Sequence, residues 1–336
     1  MIPWATSVVR PPLPSHTMLD LAAIRAARDR IAGRVHLTPT ITASRLGQRA
    51  GLQLVLKCEN LQKTGSFKVR GALTKLSSLG AEERARGVVT VSAGNHAQAV
   101  AWAARAAGGG IHAVVVMPET ASPAKVEACR GYGAEVVLHG TSGIQAFEHA
   151  HVLERERGLV FVHPFDDEVV CAGAGTVGLE LMEQVPDLDA VIVPIGGGGL
   201  ISGVATAVKE ISPRTRVYGV EPKGAPSTRM SLDAGHAVRL ESLNTIADGL
   251  AAPMTGEVNY EIIRRYVDDV VLIDDDVIVQ GMRELLVSTK LLAEPGGAAA
   301  VAALLARAIP VRENARVAAV VSGGNIDLAK LATLLR

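Results

Sequence analysis

One lysine of this chain stands where its side-chain amine can act as a nucleophile. Lys68 follows Phe67 directly, after the turn-forming pair Gly65-Ser66 and at the start of a predicted helix. Next to an apolar ring and partly out of water, the charged ammonium is disfavoured, so the pKa of the amine falls. A neutral amine forms Schiff bases with carbonyl compounds. From this segment alone, an ordinary surface lysine in the first turn of a helix remains an alternative.

A second polar segment separates a short apolar run from an alanine-rich stretch, and this order predicts a strand, a tight loop and a helix. The loop consists of Ser92, Ala93, Gly94, Asn95 and His96. Its backbone N–H groups, at the N-terminus of a helix, suit a carboxylate, and the Asn95 amide can hold a phenolic oxygen. Alternatively, Ser92 or Asn95 only caps the helix.

Four consecutive glycines lie between a predicted strand and a predicted helix; they are Gly196, Gly197, Gly198 and Gly199, with Leu200 after them. Without Cβ atoms, the backbone amides of such a turn can close around an anion, and the helix dipole adds to the attraction. The run has neither the Gly-Lys-Ser/Thr ending of a nucleotide P-loop nor the dinucleotide spacing. It predicts a phosphate site, and a purely structural glycine turn is the alternative.

The last such segment is Ser322, followed by two glycines and Asn325. It comes after an apolar run with the pattern of a buried strand. Ser322 is therefore expected at the C-terminal end of a strand, where ligands collect in open α/β sheets. A simple cap for the final predicted helix is the alternative.

Taken in order, these four segments resemble the fold-type-II enzymes that depend on pyridoxal phosphate (PLP), and among them the threonine/serine dehydratase and serine racemase family. The similarity runs from about Leu19 to the C-terminus. This resemblance implies an α/β fold like that of the tryptophan synthase β subunit, with two parallel-type sheets flanked by helices. It also includes residues 56–60, 163–166, 245–249 and 289–297.

The alternation of apolar strand patterns with helical patterns along the chain agrees with an α/β fold and parallel sheets. Strands are predicted at residues 52–56, 88–91, 111–117, 135–138, 160–163, 190–195, 217–221, 270–273 and 317–321.

The domain boundaries come from the resemblance, because no Pro/Ser-rich linker marks them. It implies a small domain of residues 87–163 inserted into a large PLP-binding domain of residues 18–86 and 164–336, with the cofactor between the two. Residues 1–17 contain several prolines and lack the apolar core of a signal peptide, so we expect a loose N-terminal extension.

The resemblance also implies a role for each segment. Lys68 carries PLP as a Schiff base and later takes the Cα proton of the substrate. Phe67 packs on one face of the cofactor ring, Asn95 faces its hydroxyl and Ser322 faces its nitrogen. The phosphate is held by Gly196, Gly197, Gly198, Gly199 and Leu200, and the substrate carboxylate by Ser92, Ala93, Gly94, Asn95 and His96.

The implied reaction is that of a threonine ammonia-lyase: loss of water from L-threonine or L-serine, giving 2-oxobutanoate or pyruvate and ammonia. A serine that faces the ring nitrogen leaves that nitrogen largely neutral. The carbanion is then short-lived, which favours quick loss of a β leaving group. Alternatives are dehydration of another β-hydroxy amino acid, such as 3-hydroxyaspartate, and serine racemisation. The racemases of this family carry a second serine where this chain has Ala93. A methyl group cannot move protons, so the sequence favours elimination.

Composition excludes several other classes of protein. Lys+Arg and Asp+Glu are both 34, and aromatic residues make up only 3%, which argues against a nucleic-acid partner. No apolar run reaches the length of a membrane span. The cysteines Cys58, Cys129 and Cys171 are scattered, so we expect reduced thiols in a cytoplasmic protein.

The sequence also leads to expectations for a metal site, the substrate and the oligomer. Many members of the family hold a divalent cation with a glutamate and two aspartates. Here Glu221 is followed by Pro226 and Ser227 at the aspartate positions, so no divalent metal site is expected. A monovalent ion held by Glu221 and backbone carbonyls remains an alternative. The expected partners are a small β-hydroxy amino acid and further copies of this chain, in a homodimer or homotetramer.

Overall fold

A computed structural model describes residues 19–336 of the chain, and the predicted N-terminal extension lies outside the described residues. A six-stranded sheet forms the centre of the larger part of the molecule. In spatial order its strands are β1 (Thr40–Thr42), β2 (Gln53–Cys58), β10 (Arg316–Val321), β7 (Ala190–Pro194), β8 (Arg216–Pro222) and β9 (Asp269–Ile273), numbered in chain order.

A second sheet contains the four strands in between. In spatial order these are β5 (Glu135–Leu138), β4 (Ala113–Met117), β3 (Val88–Val91) and β6 (Val160–Phe161). All its strand pairs are parallel. This sheet falls within the residues for which a small domain is predicted.

All nine predicted strands are present, with ends that differ by at most two residues. Their continuous apolar runs form strands because helices cover both faces of each sheet; every residue of β3, β4 and β7 is buried. The sequence did not predict β1, which has only three residues and too short a pattern. It pairs with β2 antiparallel, so the larger sheet is not wholly parallel.

The helices lie on both faces of the two sheets. They are α1 (Leu21–Ile31), α2 (Ser44–Ala50), α3 (Lys68–Ser78), α4 (Ala81–Arg86), α5 (Asn95–Ala106), α6 (Pro123–Gly131), α7 (Gly143–Arg157), α8 (Glu168–Gln184), α9 (Gly199–Ile211), α10 (Ser227–Ala234), α11 (Glu257–Tyr266), α12 (Asp275–Thr289), α13 (Pro295–Leu305) and α14 (Leu328–Leu334). Three short 3-10 turns are Glu59–Leu61, Lys63–Gly65 and Asp248–Leu250. Over residues 19–336, no helix is both long and apolar enough to cross a membrane.

A buried ionic cluster fixes α3 against β2 and α8. The Arg70 guanidinium lies between two carboxylates, with Nε 2.8 Å from Glu59 Oε2 and Nη1 2.6 Å from Glu180 Oε1. Lys57 Nζ donates to Glu180 at 2.7 Å, so two cations meet two anions. The side chains of Arg70, Glu59 and Lys57 are fully buried. A buried charge without a partner costs several kcal/mol of folding free energy, so these ion pairs stay formed. They therefore hold the first turn of α3, which carries Lys68, in one position.

Candidate active site

The Lys68 amine lies at the start of α3 in a half-buried position. Its Nζ atom donates to the Pro164 carbonyl oxygen at 2.7 Å and lies 5.2 Å from the centre of the Phe67 ring. Burial lowers the pKa of Lys68 to about 8, against the opposing charge of Glu294. Lys68 is thus not the ordinary exposed lysine of the alternative interpretation, and its amine reaches the neutral, nucleophilic form near physiological pH.

The loop after β10 lies directly against this segment. The Phe67 backbone N–H donates to the Ser322 carbonyl oxygen at 3.1 Å, and Ser66 forms an isolated β-bridge with Gly323. Ser322 is buried, and its hydroxyl donates a long hydrogen bond of 3.5 Å to the Gly296 carbonyl oxygen. The last helix, α14, is capped by Asp327 instead. The helix-cap interpretation of Ser322 is therefore wrong, and its hydroxyl remains a candidate for contact with a ligand.

The polar loop before α5 offers backbone donors. Neither Ser92 nor Asn95 caps α5. The N-cap residue is Gly94, and no side chain accepts a hydrogen bond from the first turn of the helix. Ser92 Oγ instead accepts from the Gly94 N–H at 3.0 Å. In the described part of the chain, the N–H groups of Asn95 and His96 meet no hydrogen-bond acceptor. Together with the helix dipole, they suit the carboxylate predicted from the sequence.

The His96 ring does not add a charge to this loop. It is buried, and its Nε2 atom lies 3.2 Å from the Val162 carbonyl oxygen. Burial lowers the pKa of His96 well below its ordinary value, so the ring is neutral at physiological pH. His96 can therefore serve a carboxylate through its backbone N–H, as the sequence predicts.

The glycine run forms an anion cradle of backbone N–H groups at the N-terminus of α9. Gly198 has a left-handed backbone (φ +98°), and a Cβ on Gly197 would lie 2.3 Å from the Phe165 ring. Over residues 19–336, the N–H groups of the four glycines meet no acceptor, and no side chain caps α9. The Gly197 carbonyl oxygen accepts from Asn259 Nδ2 at 2.9 Å and from the Gly256 N–H at 3.1 Å, which fixes this peptide. The donors fit a phosphate group.

Short contacts join the four segments into one site. The residue after Pro164, whose carbonyl oxygen accepts from Lys68, is Phe165, which packs on Gly197. On the other side, Asn95 Nδ2 donates to Glu294 Oε1 at 2.6 Å, and the Glu294 N–H donates to the Gly323 carbonyl oxygen at 3.1 Å.

Glu294 is a site residue to which the sequence assigned no role. It is the N-cap residue of α13, and burial raises the pKa of its carboxyl to about 7. The one available signal is an acidic residue just before Pro295, at the start of an otherwise apolar helix. That pattern also suits a simple helix start, so it does not by itself predict an active-site carboxyl.

Glu221 is held by its own neighbourhood. Its carboxylate accepts from the backbone N–H groups of Thr228 at 2.8 Å and Arg229 at 2.9 Å, in the first turn of α10. Burial raises the pKa of this carboxyl to about 7. Over the same described range, no group of three or more metal-ligating side chains comes together.

Comparison with known proteins identifies the family. Residues 31–323 match the family described as pyridoxal-phosphate dependent enzyme. The chain belongs to this family. It is 45% identical over 318 residues to an L-threonine ammonia-lyase of Geobacter sulfurreducens, covering 95% of this chain and 78% of that protein. It is 42% identical over 316 residues to a serine racemase of Oryza sativa subsp. indica, covering 93% and 92%.

A solved structure of this PLP-dependent family confirms the fold. Maize serine racemase superimposes with a TM-score of 0.90 at 42% identity, covering 94% of this chain and 96% of that one. The prediction of a fold-type-II α/β architecture is therefore confirmed, apart from the antiparallel β1. The amine of Lys68, the glycine cradle and the buried Ser322 hydroxyl are the kinds of group that PLP requires of its protein.

Proposed function

We propose that this protein is an L-threonine ammonia-lyase, which converts L-threonine to 2-oxobutanoate and ammonia and L-serine to pyruvate and ammonia. The observation that carries the proposal is the half-buried Lys68 amine, with its pKa of about 8, joined to a glycine phosphate cradle and a carboxylate-binding loop. The 45% identity to an L-threonine ammonia-lyase over 95% of the chain supports the same reaction.

The residues predicted to bind the cofactor divide its groups among them. When bound, PLP supplies an electron sink that stabilises negative charge on the α-carbon of an amino acid. Lys68 forms the covalent link to it. The ring contacts come from Phe67, Asn95 and Ser322, and the phosphate contacts from the N–H groups of Gly196, Gly197, Gly198, Gly199 and Leu200.

The substrate is oriented by the loop before α5. Its carboxylate lies against the loop of Ser92, Ala93, Gly94, Asn95 and His96, where the backbone N–H groups of Asn95 and His96, unpaired within residues 19–336, bind it, and the dipole of α5 adds to the attraction. The N–H groups of Ser92 and Gly94 already donate to the Val116 carbonyl oxygen and to Ser92 Oγ. The substrate amine would replace Lys68 in the link to the cofactor, and the freed Lys68 amine would then take the Cα proton. A base with a pKa near the working pH is effective in this step, and the Pro164 carbonyl oxygen orients the amine by accepting one of its hydrogens. The β-hydroxyl leaves together with one proton as water, and the resulting enamine tautomerises and is hydrolysed by a second water to the 2-oxo acid and ammonia.

Ala93 distinguishes elimination from racemisation. The identity of 42% to a serine racemase makes racemisation the second candidate. A racemase needs a second proton carrier on the face opposite Lys68, and the methyl group of Ala93 carries none. Dehydration of 3-hydroxyaspartate is a further alternative, but the four site segments contain no additional arginine or lysine placed for a second carboxylate.

We also propose the domain boundaries, the cellular compartment and the oligomeric state. The two sheets support a small domain of residues 87–163 and a large domain formed by residues 18–86 and 164–336. The three cysteines are free and buried, which is consistent with a reducing cytoplasm. We expect the enzyme to act there as a homodimer or homotetramer.

The experiment is a substrate panel with matched lysine variants. Release of 2-oxo acid is measured with L- and D-forms of threonine, serine and 3-hydroxyaspartate, and chiral chromatography follows D-serine. Lys68→Ala is expected to abolish turnover and the borohydride-reducible PLP adduct while the circular dichroism spectrum is kept. Lys63→Ala, in the 3-10 turn just before α3 and with its amine over the Trp102 ring, serves as the control. Wild-type turnover by the Lys68 variant, or faster D-serine than pyruvate formation by the unmodified enzyme, would contradict the proposal.

A further inference from the structure

A backbone carbonyl in the turn before α3 determines the orientation of a neighbouring side-chain amide. Asn325 Nδ2 lies 2.6 Å from the Thr64 carbonyl oxygen. A carbonyl oxygen only accepts hydrogen bonds, so the nitrogen of Asn325, and not its oxygen, faces Thr64. The oxygen lies on the side of Gly65, where an added Cβ would come within 2.3 Å of it.

The orientation of Asn325 passes to Asn95. Asn325 Nδ2 also donates to Asn95 Oδ1 at 2.8 Å. Because Asn325 offers a donor, Asn95 must present its oxygen to it, and its own nitrogen then lies on the other side. That nitrogen donates to Glu294 Oε1 at 2.6 Å. Asn325 Nδ2 therefore donates in two directions, to the Thr64 carbonyl oxygen and to Asn95 Oδ1, and Asn95 Nδ2 donates onward to Glu294.

The glycines of the loop after Ser322 leave room for these hydrogen bonds. An added Cβ on Gly323 would lie 2.3 Å from Glu294 Oε1 and 3.2 Å from Asn95 Nδ2, so only a glycine leaves room for their hydrogen bond. The Gly324 N–H donates to the Gly65 carbonyl oxygen at 2.9 Å, which ties the loop to the turn that carries Thr64.

We propose that Asn325 is a positioning residue that fixes the direction of the Asn95 amide, so that Asn95 presents a donor to the ring hydroxyl of PLP. An amide that rotates by half a turn exchanges its donor for an acceptor, which would repel an anionic phenolic oxygen. Asn325 prevents that rotation because its own direction is set by the Thr64 carbonyl. This inference rests on the proposed function, since it assigns the ring contact to Asn95.

The test is a double-mutant cycle read out by cofactor binding. PLP dissociation constants and the absorbance maximum of the bound cofactor are measured for wild type, Asn325→Ala, Asn95→Ala and the double variant. Asn325→Ala alone is expected to weaken PLP binding about fivefold and to shift the absorbance maximum. In the Asn95→Ala background the same change is expected to add nothing, because Asn325 acts through Asn95. Equal losses in both backgrounds would overturn the proposal.

Isosteric variants provide the control. Asn325→Asp keeps the shape but removes the donors, and is expected to lower PLP affinity at least as much as Asn325→Ala. Asn60→Asp makes the same change beside the same loop, where Nδ2 donates to the Leu292 carbonyl oxygen at 3.0 Å without reaching Asn95, and should leave PLP affinity within about twofold. Equal effects of the two Asp variants would contradict a role through Asn95.

The outcomes separate this inference from the proposed function. If wild type binds PLP and releases 2-oxobutanoate while the cycle is additive, only the positioning role of Asn325 is wrong. If wild type does neither, the proposed function itself is wrong. Should Asn325→Asp not fold, the alanine cycle still decides the question, with thermal melting of each variant as the check on its fold.

Discussion

Removal of Arg70 is predicted to destabilise the fold far more than removal of an exposed arginine. In the wild-type cluster the guanidinium and the Lys57 ammonium balance the charges of Glu59 and Glu180, and Arg70 makes hydrogen bonds of 2.6–2.8 Å to both carboxylates. Arg70→Ala leaves two carboxylates with one ammonium, so one negative charge is buried without a partner.

The magnitude follows from the burial of the cluster. The side chains of Arg70 and Glu59 have no exposed surface and that of Glu180 is 8% exposed, so solvent screens this charge little. Breaking a buried ion pair by removal of one partner costs about 3–5 kcal/mol. Arg70→Lys keeps the charge but cannot bind both carboxylates in the same geometry, and we expect a loss of about 1.5–3 kcal/mol.

The assay is urea unfolding followed by circular dichroism at one fixed PLP concentration, since bound cofactor also stabilises the folded state. Arg214→Ala is the matched control. Its guanidinium lies 2.7 Å from Asp187, but the two side chains are 77% and 72% exposed, so a loss below about 1 kcal/mol is expected. If Arg70→Ala and Arg214→Ala lower the free energy of unfolding equally, the reasoning from burial is refuted.

Three further predictions concern the site. Ala93→Ser is expected to raise the ratio of D-serine to pyruvate formed from L-serine, and an unchanged ratio on chiral chromatography would show that this position carries no protons. Ser322→Ala should weaken PLP binding by about 0.5–1.5 kcal/mol in an absorbance titration, since one neutral hydrogen bond is lost; unchanged affinity would mean that Ser322 does not touch the ring. The carboxyls of Glu221 and Glu294 have pKa values raised to about 7, so the folded protein retains two protons that the unfolded chain loses near pH 4.5. These two carboxyls should therefore contribute a free energy of unfolding that falls as pH rises from about 4.5 to about 7, while the lowered pKa of His96 contributes in the opposite direction. Glu294→Gln should remove the Glu294 contribution, so in denaturant titrations the free energy of unfolding of the PLP-free variant should fall less with rising pH than that of wild type; the same slope in both proteins would refute the shift assigned to Glu294.

The sequence predicted best what depends on local pattern. Strands such as β3 and β7 were predicted because burial on both faces produces unbroken apolar runs. The environment of Lys68 was predicted from its aromatic neighbour, and burial does lower the pKa of its amine.

What the sequence did not predict depends on partners far away along the chain. Asn95 and Glu294 are 199 positions apart, and Asn325 lies 230 positions beyond Asn95. The ionic partners of Arg70 are 11 and 110 positions away. An isolated Asn, Glu or Arg looks the same in a solvated position and in a buried network, so periodicity and turn chemistry cannot reveal these contacts.

The central position of β10 in the larger sheet has a consequence during synthesis. β10 pairs with β2 on one side and β7 on the other, and 263 positions separate Gln53 from its partner Arg316. At roughly 5–20 residues per second, a ribosome needs about 13–50 s to add the missing strand. Throughout that time β2 exposes an apolar edge that can pair with another nascent chain. The interval between β2 and β10 thus favours pairing with other chains, and the cofactor site is complete only after β10 and the Ser322 loop that follows it have been made.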